Sequence, residues 1–414
     1  MSRASILLIL ILSLACLAAP GILAAPDILA APARAAALEQ MTETVEYTFG
    51  GQVNFRLAFP DSTPVQSAQV FLRSQGDAQT LSGDMMLNGV EAVYVHDLTS
   101  QPLRAFTTIE YWFFITPQAG EAYYTEPHTF LYLDNRFQWQ TLEDELFRVH
   151  WYAGDAAFGQ SVMDAARAGL ERAESLLQLG ESRPVDIYVY ASGKELQSTL
   201  RLAGLDWVAG HADPDLNLMV VSLPEGPDRG RETERQIPHE LMHILLYQAV
   251  GEGSGKLPTW FKEGVASANE LRPNSDYYLI LERAAEQDTL IRLEQLCDSF
   301  PQDSSVYLAY AEADSFLRYL HQKYGSAGLS DLLQSYAGGE GCEYGSQAAL
   351  GLPLQRLEDD WRRETLGESA LLSALVNLLP WLFVLVVVIL VPLLLTLVNL
   401  RKRGAKKEKK VSYG

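Results

Sequence analysis

His239-Glu240-Leu241-Met242-His243 is the stretch of this 414-residue chain from which the rest can be read. It lies inside Gln236–Val250, where Ile237, Leu241, Ile244 and Leu245 recur at helical spacing. Two histidines at i and i+4 share one helix face, so both imidazoles can reach a common zinc ion. The glutamate between them then stands beside the metal, where it can take a proton from zinc-bound water. Pro238 is at odds with a helix interior. Either the helix begins close by, or it kinks just ahead of the ligands. A zinc hydrolase also needs a third protein ligand and one open position. Pro258-Thr259-Trp260-Phe261-Lys262-Glu263-Gly264-Val265-Ala266 offers that ligand: Glu263 stands 20 residues beyond His243, on what reads as the next helix. The connector Gly251–Leu257, read as flexible, lets this helix fold back and bring its carboxylate to the imidazoles.

Together the two segments resemble the gluzincin metallopeptidases, and within them the bacterial peptidase MA-like family. Weaker matches at Ala309–Ala313, Leu320–Gly325 and Ala348–Trp361 extend the resemblance over roughly residues 140–366. It implies a thermolysin-like α+β catalytic fold, a single Zn²⁺ ion and hydrolysis of peptide bonds. Residue by residue, it puts His239, His243 and Glu263 at the metal-ligand positions and Glu240 at the general-base position. Tyr310 falls where a tyrosine donates to the developing oxyanion, and Tyr307, one turn earlier, competes for that role. One departure concerns the support of the ligands. Ser267, not Asp, stands four residues after Glu263, so the carboxylate behind a zinc-bound His must come from elsewhere, with Asn269 and Glu270 nearby. The segment Trp207–His211 and the strand Leu216–Ser222 precede the metal helix. In gluzincins the corresponding edge strand holds extended substrate through main-chain hydrogen bonds. His211 is not counted as a ligand.

The rest of the chain organises around this centre. The formal net charge is -20, which argues against nucleic acid as a partner. Residues 401–410 carry seven Lys/Arg against one Glu, so that tail is +6 and the rest of the chain is -26. Residues 1–37 have the order of a secretory signal peptide followed by an Ala/Pro-rich segment. Residues 38–135 alternate apolar and polar in short runs such as Val53–Leu57 and Ile109–Ile115, which predicts a β-sandwich. Residues 136–366 form the predicted gluzincin-like domain, with strands first and helices after. Leu378–Val398 is uncharged and basic residues follow it. That pattern predicts a transmembrane helix within 371–400 and a cytoplasmic basic tail over 401–414. With an exported body, Cys297 and Cys342 are an even pair that could be bridged or free.

The fold class expected is therefore α+β: an N-terminal β-sandwich, a thermolysin-like catalytic domain and one C-terminal membrane helix. The function expected is a single-pass, membrane-anchored, extracytoplasmic zinc metallopeptidase acting on a peptide or protein substrate. The alternative is an inactive peptidase-like surface adhesion or scaffold protein. Substrate identity, exo- or endopeptidase action and oligomeric state are not written in the sequence.

Overall fold

The computed structural model describes residues 41–60, 64–202, 210–367, 378–379, 381 and 383–392. The chain divides into two compact units, one up to Leu133 and one from Asp134. The expected leader (1–37) and basic tail (401–414) lie outside the described residues.

The first unit is all β. Its strands are β1 (Thr42–Thr48), β2 (Gln52–Ala58), β3 (Val65–Ser74), β4 (Leu81–Asp84), β5 (Met86–Asn88), β6 (Glu91–Asp97), β7 (Thr107–Pro117), β8 (Tyr123–Tyr124) and β9 (His128–Tyr132). They form two antiparallel sheets, β1-β2-β6-β5 and β4-β3-β7-β8, with β9 also on β7. Strand periodicity explains the layout, because every second residue of β2 and β7 is buried, including Val53, Phe55, Leu57, Ile109, Phe113 and Ile115. Rings from the two sheets meet in the interior: Phe55 of β2 lies 5.4 Å from Tyr111 of β7, and Tyr47 of β1 lies 5.6 Å from Phe130 of β9.

The second unit opens with a mixed sheet. Its strands β10 (Gln140–Glu143), β11 (Phe147–Trp151), β12 (Val185–Tyr190), β13 (Gly210–Asp213) and β14 (Leu218–Ser222) run in the order β10-β11-β12-β14-β13. The central pairs are parallel, and β12 and β14 are almost continuously apolar, as expected for strands covered on both faces. β13 pairs antiparallel with β14 and forms one edge. The strand expected over Leu216–Ser222 begins two residues later. Pro214–Leu216 make a 3-10 turn and Asn217 takes a left-handed φ of 51°.

Eight helices are described: α1 (Ala156–Leu176), α2 (Gly193–Leu202), α3 (Arg229–Val250), α4 (Thr259–Asn269), α5 (Asp276–Glu286), α6 (Val306–Ala337), α7 (Cys342–Leu350) and α8 (Leu354–Thr365). Asp155 caps α1 by accepting from the Phe158 N–H at 3.0 Å. The connector expected to be flexible, after α3, is a 3-10 helix over Gly251–Lys256. α6 is interrupted at Gly325, whose φ of 68° suits glycine. Cys297 and Cys342 are bridged, with Cα atoms 6.0 Å apart. The bridge lies at the start of α4: the Thr259 N–H donates to the Cys297 carbonyl, and Trp260 Nε1 donates to Cys342 Sγ.

The expectation for the C-terminal region is corrected. Among the described residues no helix is long and apolar enough to cross a membrane. Of the expected span, residues 371–377, 380, 382 and 393–400 lie outside the described residues. The fold class is thus a β-rich region followed by a largely helical domain, with no membrane-length helix among the described residues, and the single-pass localisation is not supported.

One buried acid in this unit has a testable consequence. Glu312 on α6 is fully buried; Oε1 accepts from the Ile291 N–H at 2.8 Å and Oε2 has no partner. Burial raises its pKa to about 8, with Glu358 adding to the rise and Arg362 opposing it. The folded state therefore holds a proton that the unfolded chain has already released, so stability falls as pH climbs from the ordinary carboxyl range towards 8. This one group costs about 3 kcal/mol between about pH 5 and pH 7. Glu312→Gln keeps the acceptor for Ile291 and cannot ionise. Denaturation curves of the two proteins should nearly coincide at acid pH and separate in favour of the variant as pH rises. A separation independent of pH would refute this account.

Candidate metal centre

The site begins with an anomaly in α3. Pro238 sits inside the helix and cannot donate to the carbonyl of Glu234 four residues before it. The Leu271 N–H, just beyond the end of α4, donates to that carbonyl instead at 3.0 Å. Asn269 Nδ2 donates to the Pro238 carbonyl at 2.8 Å. The helix therefore starts well before Pro238 and runs through it, because the end of α4 supplies the missing partner. The same junction brings Glu270 behind His239, whose Nδ1 lies 3.1 Å from Glu270 Oε1. With Nδ1 facing that carboxylate, Nε2 is turned to the cluster. Of the two residues the sequence left open, Glu270 supports the histidine and Asn269 supports the backbone.

Close packing brings the next helices in. A Cβ on Gly264 would lie 2.7 Å from the Ala313 carbonyl, so α4 and α6 approach at a position only glycine permits. A Cβ on Gly169 of α1 would lie 3.0 Å from the Pro238 ring. In this frame Glu263 Oε2 lies 3.5 Å from His239 Nε2 and 3.9 Å from His243 Nε2. One ligand atom from each of the three residues lies within 4.8 Å of the others. Tetrahedral zinc with bonds near 2.0–2.1 Å holds its ligands about 3.3 Å apart, so a small closure of this donor set suits the ion. The three side chains are 15–20% exposed, which leaves them open to a cleft of about 780 Å³.

Electrostatics agrees with a cation site. Burial disfavours a charged His239, but Glu263, Glu270 and Glu240 outweigh it and raise its pKa. Burial and the neighbouring His239 charge hold His243 down to about 4, despite Glu263. Burial would raise Glu263, yet the two histidines keep it ionised. The cluster thus holds one proton, and a divalent cation would compete for its place. Glu240 lines the same cleft and is lifted to about 7, chiefly by burial with Glu263 adding.

Tyr310 has its ring centroid 6.4 Å from that of His239 and packs edge-on against Phe300. Burial raises its pKa, and Glu263 and Glu240 add to the rise, so its hydroxyl remains a donor. Tyr307 also lines the cleft but is 60% exposed. His211 and Ala212 of β13 line the cleft as well. His211 is not part of the three-residue cluster. Sequence reading missed Arg235, Asn274 and Tyr277, which line the cleft as well. Arg235 lies four residues before His239 and thus on its helix face, a signal that was available.

The His-His-Glu cluster thus lies on two helices of the unit that also holds the mixed sheet. Residues 165–367 match the family model described as Peptidase MA superfamily, and this region of the chain belongs to that superfamily, in keeping with the resemblance of its motifs. No curated protein matches the chain. Among solved structures it is similar to an aminopeptidase N family protein from Idiomarina loihiensis, at 9% identity and a TM-score of 0.34, over 82% of this chain and 75% of that one. It is also similar to Cwp6 from Clostridium difficile, at 10% identity and a TM-score of 0.19, over 58% of this chain and 47% of that one. The assignment rests on the family match alone.

Proposed function

We propose that residues 136–366 form a zinc-dependent metallopeptidase domain in which His239, His243 and Glu263 hold one Zn²⁺. The observation that carries this reading is the convergence of those three donors within 4.8 Å, with a carboxylate behind His239 and a glutamate between the histidines in sequence. Bound zinc supplies Lewis-acid polarisation of a scissile carbonyl and makes water more acidic. Glu240 accepts the proton of the attacking water and returns it to the leaving amine. Tyr310 donates its hydroxyl to the oxygen on which negative charge develops, which is worth about 2–4 kcal/mol for one such donor. The edge strand β13 offers main-chain groups to an extended peptide lying in the cleft.

The test is direct. Purified full-length chain should carry about one zinc per molecule, as a site with three protein ligands requires. It should cleave members of a blocked peptide library, and a chelator should abolish both the metal and the cleavage. Protein free of metal, or cleavage unaffected by chelation, would defeat the proposal. An inactive scaffold would cleave no peptide.

A further inference from the structure

The cleft contains two formally cationic side chains among its described lining residues, Arg235 and Lys262. Lys262 is next to the ligand Glu263 in sequence. Arg235 stands one turn of α3 ahead of His239, about 6 Å along the helix axis, and so flanks the metal cluster on one side. Its guanidinium is held in place from behind. Nε and Nη2 both donate to Glu232 Oε2, at 3.2 and 2.5 Å, and Gln236 Nε2 donates to the same oxygen at 3.0 Å. Nη1 forms no hydrogen bond among the described residues and is open to solvent. An i,i+3 ion pair on a helix surface adds little stability. Here its effect is to fix a planar donor group on the wall of a cleft with one edge unused. Arginine held in this way recognises carboxylates by charge-assisted hydrogen bonds.

We propose that the cleft selects peptides carrying a carboxylate next to the scissile bond, and that Arg235 is the specificity-determining residue that reads it. The inference rests on the peptidase reading above and names its substrate class. The carboxylate could come from an Asp or Glu side chain or from a free C-terminus, and the experiment separates the two.

Binding is measured by titration on the zinc-loaded, full-length Glu240→Gln protein, so that turnover does not intervene. The first probe series is acetyl-Ala-Ala-Ala-Xaa-Ala-Ala-amide with Xaa as Glu, Gln or Lys. The second is acetyl-Ala-Ala-Ala-Gln with a free carboxylate or as its amide. Cleavage of the same peptides by wild type is followed separately. One carboxylate-bearing probe should bind about tenfold tighter than its neutral partner. A gain confined to the first series identifies a side chain, and a gain confined to the second identifies the terminus. Adding Arg235→Gln should remove the preference. Adding Glu232→Gln, which lifts a competing negative charge from Arg235, should widen it, a change in the direction that loss of folding cannot imitate. The proposal is overturned if neither series prefers the carboxylate, or if the preference survives in Arg235→Gln. Peptides bound with the preference but never cleaved by wild type would remove the peptidase reading and leave the carboxylate site. Cleavage without the preference would do the reverse.

Discussion

Glu240→Gln should lower kcat by about 10²–10⁴-fold, the span that a positioned acid–base group contributes, and leave bound zinc unchanged. The two outcomes separate because Glu240 is outside the ligand set. The cluster proposed to hold the cation is His239, His243 and Glu263, and amide for carboxylate changes neither the size of the side chain nor the helix that carries it. What changes is proton transfer. A glutamine cannot take a proton from water, whereas the Glu240 carboxylate can accept one and return it. KM should move little, since peptide groups would be held by the sheet edge and the cleft walls. Steady-state kinetics with metal analysis of the same sample checks both halves. A variant that cleaves at the wild-type rate would remove Glu240 from the mechanism. A variant that has lost its zinc would make it structural.

The second large effect is expected from Glu263→Ala. Two histidines alone leave a zinc site one protein ligand short. Glu263 is also the group from which both imidazole Nε2 atoms are within 4 Å. Zinc content should fall from about one ion per chain to near zero after dialysis, and hydrolysis should vanish with it. Glu270→Gln provides the graded comparison. It weakens the acceptor behind His239 without removing a ligand, so metal affinity should drop about 10–100-fold while activity returns at high zinc. If Glu263→Ala retains its metal, the third ligand has been misassigned.

The parts of the site legible in the sequence are those set by local geometry. Residues four apart on a helix share a face whatever the fold, so spacing alone pairs His239 with His243. Alternation in Val53–Leu57 and Ile109–Ile115 announced strands for the same reason. Local rules failed where a distant segment supplies what the local chain lacks. Pro238 leaves open a helix start or a kink, and α3 passes through it because Leu271 donates to the orphaned Glu234 carbonyl. Asn269 and Glu270 read as equivalent neighbours, but one bonds the Pro238 carbonyl and the other His239.

By itself, then, the sequence determined a pair of imidazoles, a glutamate between them and a candidate carboxylate 20 residues on, because helical periodicity needs no partner. Tertiary structure alone decided that Glu263 reaches the pair and that Glu270 stands behind it. These depend on how closely α4 can approach α6 across Gly264 and on how α4 ends against the proline of α3. Such contacts join residues remote along the chain, and no local spacing encodes the distance between them.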